Sequence, residues 1–555
     1  MPSILNAKES SATPKVNPRQ RAPQPVAQLI LEQLKLWGVQ RIYGVVGDTI
    51  FGLMDALAKQ NAISFIAVKH ESVAAMMASA EAKLTGKLGV CIAHMGPGLA
   101  NLINGLGDAF LDKAPVLAIT GQAPLGKIGT AYKQYINQQQ MVHAVSPCSL
   151  LVVHPDAVVE SLTQAMHTSV LHRTVSHLSI PLDLFGMTTA MQPSEPLYLP
   201  ASVPNSSDLR EALHLILSAQ KPMILAGGGA RSARESIQAL ADHWGCGIAM
   251  SYGAIGIIDD THPLLLNGLG EGGNPYLAAL FRKADVVLVL ETSWWPEGMV
   301  PGTAKVIRVA KHQADLGTAP ADIRLAQDTA SIIPQWIEGL KSYKPSSDWI
   351  YEVQQCKLKW AAQNENEKGQ SGSPLSPSSI IGFMERYIAE DAVIALDEGD
   401  CTLWFMRNFR AKHQHILYSE WWRTMGFGLP AAMAGQLCMP QKQVVCVTGD
   451  GGLGMVLADL TTAARYGLPV TVIVLNNGTL QMERDKMIMK GLKPEGTELT
   501  NPDFAKIAEA CGWIAYRIEN GEQLEKAWNQ SRTSNNPVLL DVLTAPIPHP
   551  DFKSN

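Results

Sequence analysis

The feature that most constrains this chain is Gly449-Asp450-Gly451, followed 27 residues later by Asn477 in the pair Asn476-Asn477. An apolar run at 444–447 leads into the glycine turn, and a second at 470–475 leads into the asparagines. Between them Val456, Leu460, Ala463 and Ala464 recur at helical spacing, until Gly467 and Pro469 end the pattern. Strand, helix and strand in this order form the unit of a parallel sheet. The unit delivers an aspartate and an asparagine to adjacent strand ends. With the Thr479 main-chain carbonyl they offer hard oxygen ligands, which suits Mg2+ carrying a diphosphate. Gly449, Gly451 and Gly452 let the backbone approach phosphate oxygens, and the helix that follows aims its amides at them. A lone glycine–aspartate turn is common in loops; its spacing to the asparagine pair makes this pattern specific.

Strand–helix alternation recurs in three stretches of the 555 residues, which predicts an α/β protein of three parallel-sheet domains. The expected division is a loose tail at 1–23, an N-terminal domain at 24–190, a central Rossmann-like domain at 206–342 and a C-terminal domain at 375–555. Strands are expected at 41–45, 65–68, 90–93, 116–120 and 178–181, then at 222–226, 286–290 and 305–309. A Pro- and Ser-containing loop at 192–208 and a flexible connection at 341–374 separate the domains. Hydrophobic residues make up 46% and charged residues 17%, a globular composition. A net charge of −5 gives no reason to expect nucleic acid or an acidic membrane as partner. There is no apolar run of about 18 residues, and the start is polar, without a signal-peptide core. The eight cysteines contain no CxxC pair. Buried reduced thiols in a cytoplasmic protein are the expectation.

The stretch from Gly449 to Asn477 resembles the thiamine diphosphate signature of the pyruvate oxidase and acetolactate synthase superfamily. The resemblance spans nearly the whole chain. Tyr43-Gly44-Val45-Val46-Gly47-Asp48, Val68-Lys69-His70-Glu71, Gly96-Pro97-Gly98, Thr120-Gly121-Gln122 and Gly426-Phe427-Gly428-Leu429-Pro430 follow in the family's order. The ending at Asp48 and the pattern at 102–109 are most similar to pyruvate oxidases. The resemblance implies thiamine diphosphate and Mg2+ as cofactors, with Asp450, Asn477 and Thr479 as metal ligands. It implies cofactor contacts from Gly96, Pro97, Gly98, Gly399, Thr402, Leu480 and the glycine turn. It gives catalytic places to Glu71, Gln122 and Met425. Glu71 would hydrogen-bond N1′ of the aminopyrimidine and promote the C2 ylid, and Met425 would wedge between the two cofactor rings. Read alone, Glu71 is an acidic residue at a helix N-terminus and Met425 is one core methionine among 21.

The implied reaction is decarboxylation of a 2-oxo acid, pyruvate first among candidates, with oxidative transfer of the hydroxyethyl unit. The alternatives are a flavin-independent carboligase forming acetolactate or an acyloin, and an inactive structural paralogue. Relatives carry Phe-Gln-Glu where this chain has Lys133-Gln134-Tyr135, so Lys133 either meets a substrate carboxylate or faces water. Arg423 stands where relatives have glycine. The run 481–487, with Gln481 and Met482, is either a solvated helix face or part of the substrate pocket. Gly227-Gly228-Gly229-Ala230-Arg231 is similar to an FAD diphosphate site, yet the family's acidic stretch is here Val309-Ala310-Lys311-His312, which leaves FAD open. The chain runs out soon after its last expected strand, so no membrane-activating C-terminal segment is expected. Glu71 and Asp450 lie in different domains, and the resemblance implies a homo-oligomer, at least a dimer and in many relatives a tetramer.

Overall fold

The structure is a computed structural model that describes residues 22–196, 206–370 and 372–552. The expected tail lies outside these residues except for its last two positions. So does the middle of the expected 192–208 linker. Three six-stranded parallel sheets organise the chain. The first contains β1 (Arg41–Gly44), β2 (Ser64–Ala67), β3 (Gly89–Ala93), β4 (Val116–Gln122), β5 (Cys148–Leu151) and β6 (Val175–Pro181). The second contains β7 (Pro222–Ala226), β8 (Gly247–Met250), β9 (Leu265–Gly268), β10 (Val286–Leu290), β11 (Lys305–Ala310) and β12 (Ile323–Ala326). The third contains β13 (Val393–Leu396), β14 (His415–Leu417), β15 (Val444–Gly449), β16 (Val470–Asn476), β17 (Ile514–Ile518) and β18 (Val538–Leu543).

The outer two sheets share one topology, β2-β1-β3-β4-β6-β5 and β14-β13-β15-β16-β18-β17. The central sheet is wound differently, β9-β8-β7-β10-β11-β12. In each, strand order reverses beside the first strand of the sheet, with a second inversion at the far edge of the outer two, and ligands of open parallel sheets bind at such a reversal, beyond the carboxyl ends of the strands. The reversals beside the first strands lie between β1 and β3, between β7 and β10, and between β13 and β15. Continuous Val/Ile/Leu/Ala runs fill the strands because helices cover both sheet faces. The helices Glu71–Thr85 and Gly428–Cys438 pack against each other and join the outer domains.

Two expectations need correction. The connection at 341–374 is not flexible throughout: Ser347–Lys368 is a 22-residue helix. Trp349, Val353, Cys356 and Trp360 form its buried stripe. Its polar end is held too, with Asn364 donating to the Arg407 carbonyl and Arg407 pairing with Glu367. The helix after the glycine turn is also not continuous. It runs Asp450–Met455, tightens to a 3-10 turn at Leu457–Asp459, and resumes at Leu460–Arg465. Asp459 accounts for the break, since its carboxylate accepts from the Lys69 amide and the Thr462 hydroxyl.

Candidate active site at the C-terminal crevice

The reversal between β13 and β15 opens into a cavity of about 290 Å3. Glu398, Gly399 and Asp400 border it from the turn after β13, and Gly449 through Gly452 from the turn after β15. Asn477, Thr479 and Leu480 follow β16, and Met425 closes one side. Register explains the convergence: Leu396 pairs with Val447 and Gly449 with Leu475, so the three turns leave the sheet side by side.

Asp450 is buried and its carboxylate is fully directed. Oδ2 accepts from the Gly478 amide at 2.7 Å and from Asn501 Nδ2 at 2.6 Å, and Oδ1 accepts from the Gly451 amide at 2.9 Å. Asn477 Oδ1 accepts from the Thr479 amide at 3.1 Å. Burial holds the Asp450 carboxyl above its ordinary range. Asp400, also bordering the cavity, is pushed up to about 8 by burial and by the negative charges of Asp485 and Asp450. Burial disfavours bare charge on these carboxyls, which a divalent cation carried in by a diphosphate would offset.

The residues present fit such a group. A Cβ added at Gly399, Gly449 or Gly454 would meet no atom within 4 Å, so the backbone there faces open space. Gly399 has φ 134°, a conformation that excludes other residues. Gln481 Oε1 is buried in the same wall without a hydrogen-bond partner among the described residues. Asp450, Asn477 and the Thr479 carbonyl would supply one carboxylate, one amide oxygen and one main-chain oxygen. Among the described residues no group of three His, Cys, Asp or Glu side chains forms a metal centre. The oxygen set here contains only one such side chain.

Met425 sits on a tightly held loop. The Gly426 amide donates to Asp397 Oδ1 at 2.7 Å, and Asp112 accepts from the Glu420 and Trp421 amides. Met425 Cε lies 3.0 Å from where a Gly451 Cβ would be, so the side chain reaches across the glycine turn. Arg423 adopts φ 52°, the left-handed region where glycine is at ease. Its guanidinium pairs with Glu271 of the central domain at 3.0 Å.

Other sequence-derived candidates lie elsewhere. Thr402 is buried and donates to the Asp397 carbonyl, away from the cavity. Gln122 is buried at the end of β4, with its amide spent on the Ala123 amide and the Ile136 carbonyl. Glu71 does not border the cavity. It opens the helix Glu71–Thr85, its Oε2 accepts from Asn101 at 2.9 Å, and its Oε1 lies 3.4 Å from the Gly98 Cβ position. Gly96, with φ 62°, caps the helix Pro97–Leu111 against the Gln134 carbonyl.

Lys133 pairs with Asp48 at 3.2 Å. Gln134 Oε1 meets His94 Nε2 at 3.0 Å, while His94 Nδ1 lies 2.8 Å from the Thr49 hydroxyl and 3.2 Å from Asp48. Asp48 and His94 follow β1 and β3, so this polar cluster marks the reversal of the N-terminal sheet. The run at 481–487 divides: Gln481, Met482, Glu483 and Lys486 border the cavity, whereas Asp485 turns inward to Gln481 and the His549 amide.

Sequence reading missed His94, Asn501 and Asp397. His94 sat two residues before Gly96 and gave a usable signal. Asn501 had none, since nothing fixes its spacing to Asp450. Asp397 is fully buried and accepts from Thr448, Glu398 and Gly426, which makes it the brace beneath the crevice. Burial pushes its carboxyl up to about 6.

All eight cysteines are free. Among the described residues no helix is long and apolar enough to cross a membrane.

Comparison with known proteins agrees with this geometry. Residues 24–141 match the N-terminal thiamine pyrophosphate-binding domain of thiamine pyrophosphate enzymes, 209–336 the central domain and 397–542 the C-terminal thiamine pyrophosphate-binding domain. A Bacillus subtilis relative, YdaP, whose name describes it as thiamine pyrophosphate-containing, is 34% identical over 94% of this chain and 92% of its own length. An acetolactate synthase of Mycobacterium bovis is 31% identical over 93% of this chain and 87% of its own. A pyruvate oxidase of Lactiplantibacillus plantarum is 29% identical over 94% and 88%. With three matching domains in the expected order and relatives aligned nearly end to end, the chain belongs to the thiamine pyrophosphate enzyme family.

Proposed function

We propose that this protein decarboxylates a short 2-oxo acid, pyruvate first, with thiamine diphosphate and Mg2+ held in the C-terminal crevice. The observation that carries this reading is Asp450, oriented by Gly478 and Asn501, with Gly449 and Gly399 facing open space in the same crevice. Asp450, Asn477 and the Thr479 carbonyl would hold the metal, and Gly399 with the turn from Gly449 to Gly452 would hold the diphosphate. When bound, the cofactor supplies a sink for the electron pair left by the departing carboxylate. Met425 orients the bound rings, and Gln481 and Met482 shape the substrate wall.

Glu71 would accept from or donate to the aminopyrimidine, with Asn101 fixing its Oε2. It is absent from the cavity wall of its own chain. We therefore assign the working site to two copies, the N-terminal crevice of one facing the C-terminal crevice of the other. Lys133, His94 and Gln134 then present cationic and polar groups to a 2-oxo acid carboxylate. The setting we expect is the cytoplasm, with a dimer as the minimum assembly.

For the second half of the reaction the relatives point two ways. The pyruvate oxidase likeness favours oxidative transfer, and the acetolactate synthase likeness favours addition to a second carbonyl. The test is CO2 release from pyruvate by the purified full chain, with and without thiamine diphosphate and Mg2+, followed by product analysis. Release that needs both additions supports the reading. No calorimetric binding of the cofactor with Mg2+, together with no release from any short 2-oxo acid, would overturn it.

A further inference from the structure

The central sheet has the winding of a dinucleotide-binding fold, and its crevice lies at the ends of β7 and β10. Gly227 follows β7 and Glu291 follows β10. Glu291 takes φ 53°, an unusual conformation for an acidic residue, and this turns its side chain over the glycine turn. A Cβ at Gly229 would lie 3.0 Å from Glu291 Cβ and 3.4 Å from its Oε2. A Cβ at Gly227 would fall on the Glu291 carbonyl oxygen. The close approach these glycines allow is thus taken up by this chain's own residue.

The Glu291 carboxylate is locked there. The Lys311 amide donates to both of its oxygens at 3.0 Å, and the Thr329 hydroxyl donates to Oε1 at 2.6 Å. These donors follow β11 and β12, the strand ends that border the crevice. Arg231, which the sequence offers as a phosphate partner, instead donates to the Gly256 and Gln414 carbonyls. The turn after β7 is a 3-10 run at Gly228–Ala233, and the α-helix begins only at Arg234. The glycines therefore do not open directly onto an α-helix N-terminus that could bind an anion. A cavity of about 220 Å3 is bordered by Trp294, Tyr252, Glu420 and Trp421, and neither Glu291 nor the glycines of the turn line it.

We propose that Glu291 is an internal anion occupying the diphosphate position of the central crevice, closing it to FAD and other dinucleotides. The residues here do not fit a flavin. The second half of the reaction then proceeds without a resident flavin, an extension that rests on the thiamine-dependent reading above.

The experiment is titration of the purified full chain with FAD and with ADP, followed by calorimetry and flavin fluorescence. Wild type, Glu291→Gly and Glu291→Gln are compared. Wild type is expected to purify colourless and to bind neither ligand. Glu291→Gly should gain about tenfold or more in ADP affinity, and Glu291→Gln a smaller gain, as expected for removing a like charge from a half-buried site. Stoichiometric FAD in wild type would overturn the proposal. So would unchanged ADP affinity in both variants with native circular dichroism. If Glu291→Gly does not fold, the Gln variant decides alone. These readouts do not depend on CO2 release, so failure here is distinguishable from failure of the thiamine assignment.

Discussion

The C-terminal and central sheets each reverse strand order beside their first strand, and each sets a glycine turn and an acid at that reversal. Their acids are used in opposite ways. In the C-terminal crevice Asp450 lies within the turn itself, its oxygens steered by Gly478, Gly451 and Asn501, and Gly449 and Gly399 face open space. In the central crevice Glu291 comes from the facing strand and lies over the glycines, satisfied by Lys311 and Thr329. One crevice leaves Gly399 and Gly449 open, while the other has Glu291 packed over its glycines. A glycine turn after a strand is therefore no evidence of a ligand until the residue across the reversal is known.

The comparison can be broken at Asp450 first. Asp450→Ala should weaken thiamine diphosphate binding in Mg2+ by about 2–5 kcal/mol, the cost of removing one partner of a buried charged contact. Calorimetry showing unchanged binding would remove the metal assignment. Glu71→Gln should leave cofactor binding intact while CO2 release falls by ~10²–10⁴, the range of a lost proton-transfer group. A rate like that of wild type would mean Glu71 only caps its helix. Asn501→Ala sharpens the contrast, since it deletes a donor that orients Asp450. Metal affinity, read by Mg2+ titration of activity, should drop by ~10–100-fold.

The smallest effect belongs to the filled crevice. Burial, the first cause, raises the Glu291 carboxyl above its model-compound value of 4.5. Between 4.5 and that raised value the folded chain binds more protons than the unfolded chain, so stability falls as pH rises through this window. Glu291→Gln has no such titration. Thermal melts should show wild type losing stability relative to the variant as pH rises across the window. Parallel curves would mean that Glu291 is not held as described.

Much of the fold was legible because buried strands of a parallel sheet read as continuous apolar runs. β7 and β10 do throughout, and β3, β15 and β16 over most of their length, whereas Arg308 interrupts β11. Cys148–Leu151 was missed because it is short, half-buried and at a sheet edge, so no contrast marks it. The helix Ser347–Lys368 was missed because Asn364-Glu365-Asn366-Glu367 looks like linker, although Trp349, Val353, Cys356 and Trp360 carried the helical stripe. At the site, Asp450 and Asn477 were legible through their fixed spacing. Lys486 and Glu483 were hidden in a charged run whose two faces only the helix separates.

The sequence by itself determined the three α/β units, the carboxylate and amide at adjacent strand ends, and the family. These depend on local periodicity and short spacings along one chain. Tertiary structure alone decided that Thr402 and Gln122 spend their side chains inside the fold, that Glu71 stands apart from its own chain's cavity, and that Arg423 reaches Glu271. It alone decided that Glu291 covers the Gly227–Gly229 turn, 62 residues away from Gly229 in sequence. Each of these depends on which strand ends become neighbours, and pairing in a parallel sheet is set by burial across the whole domain, not by residues nearby in the chain.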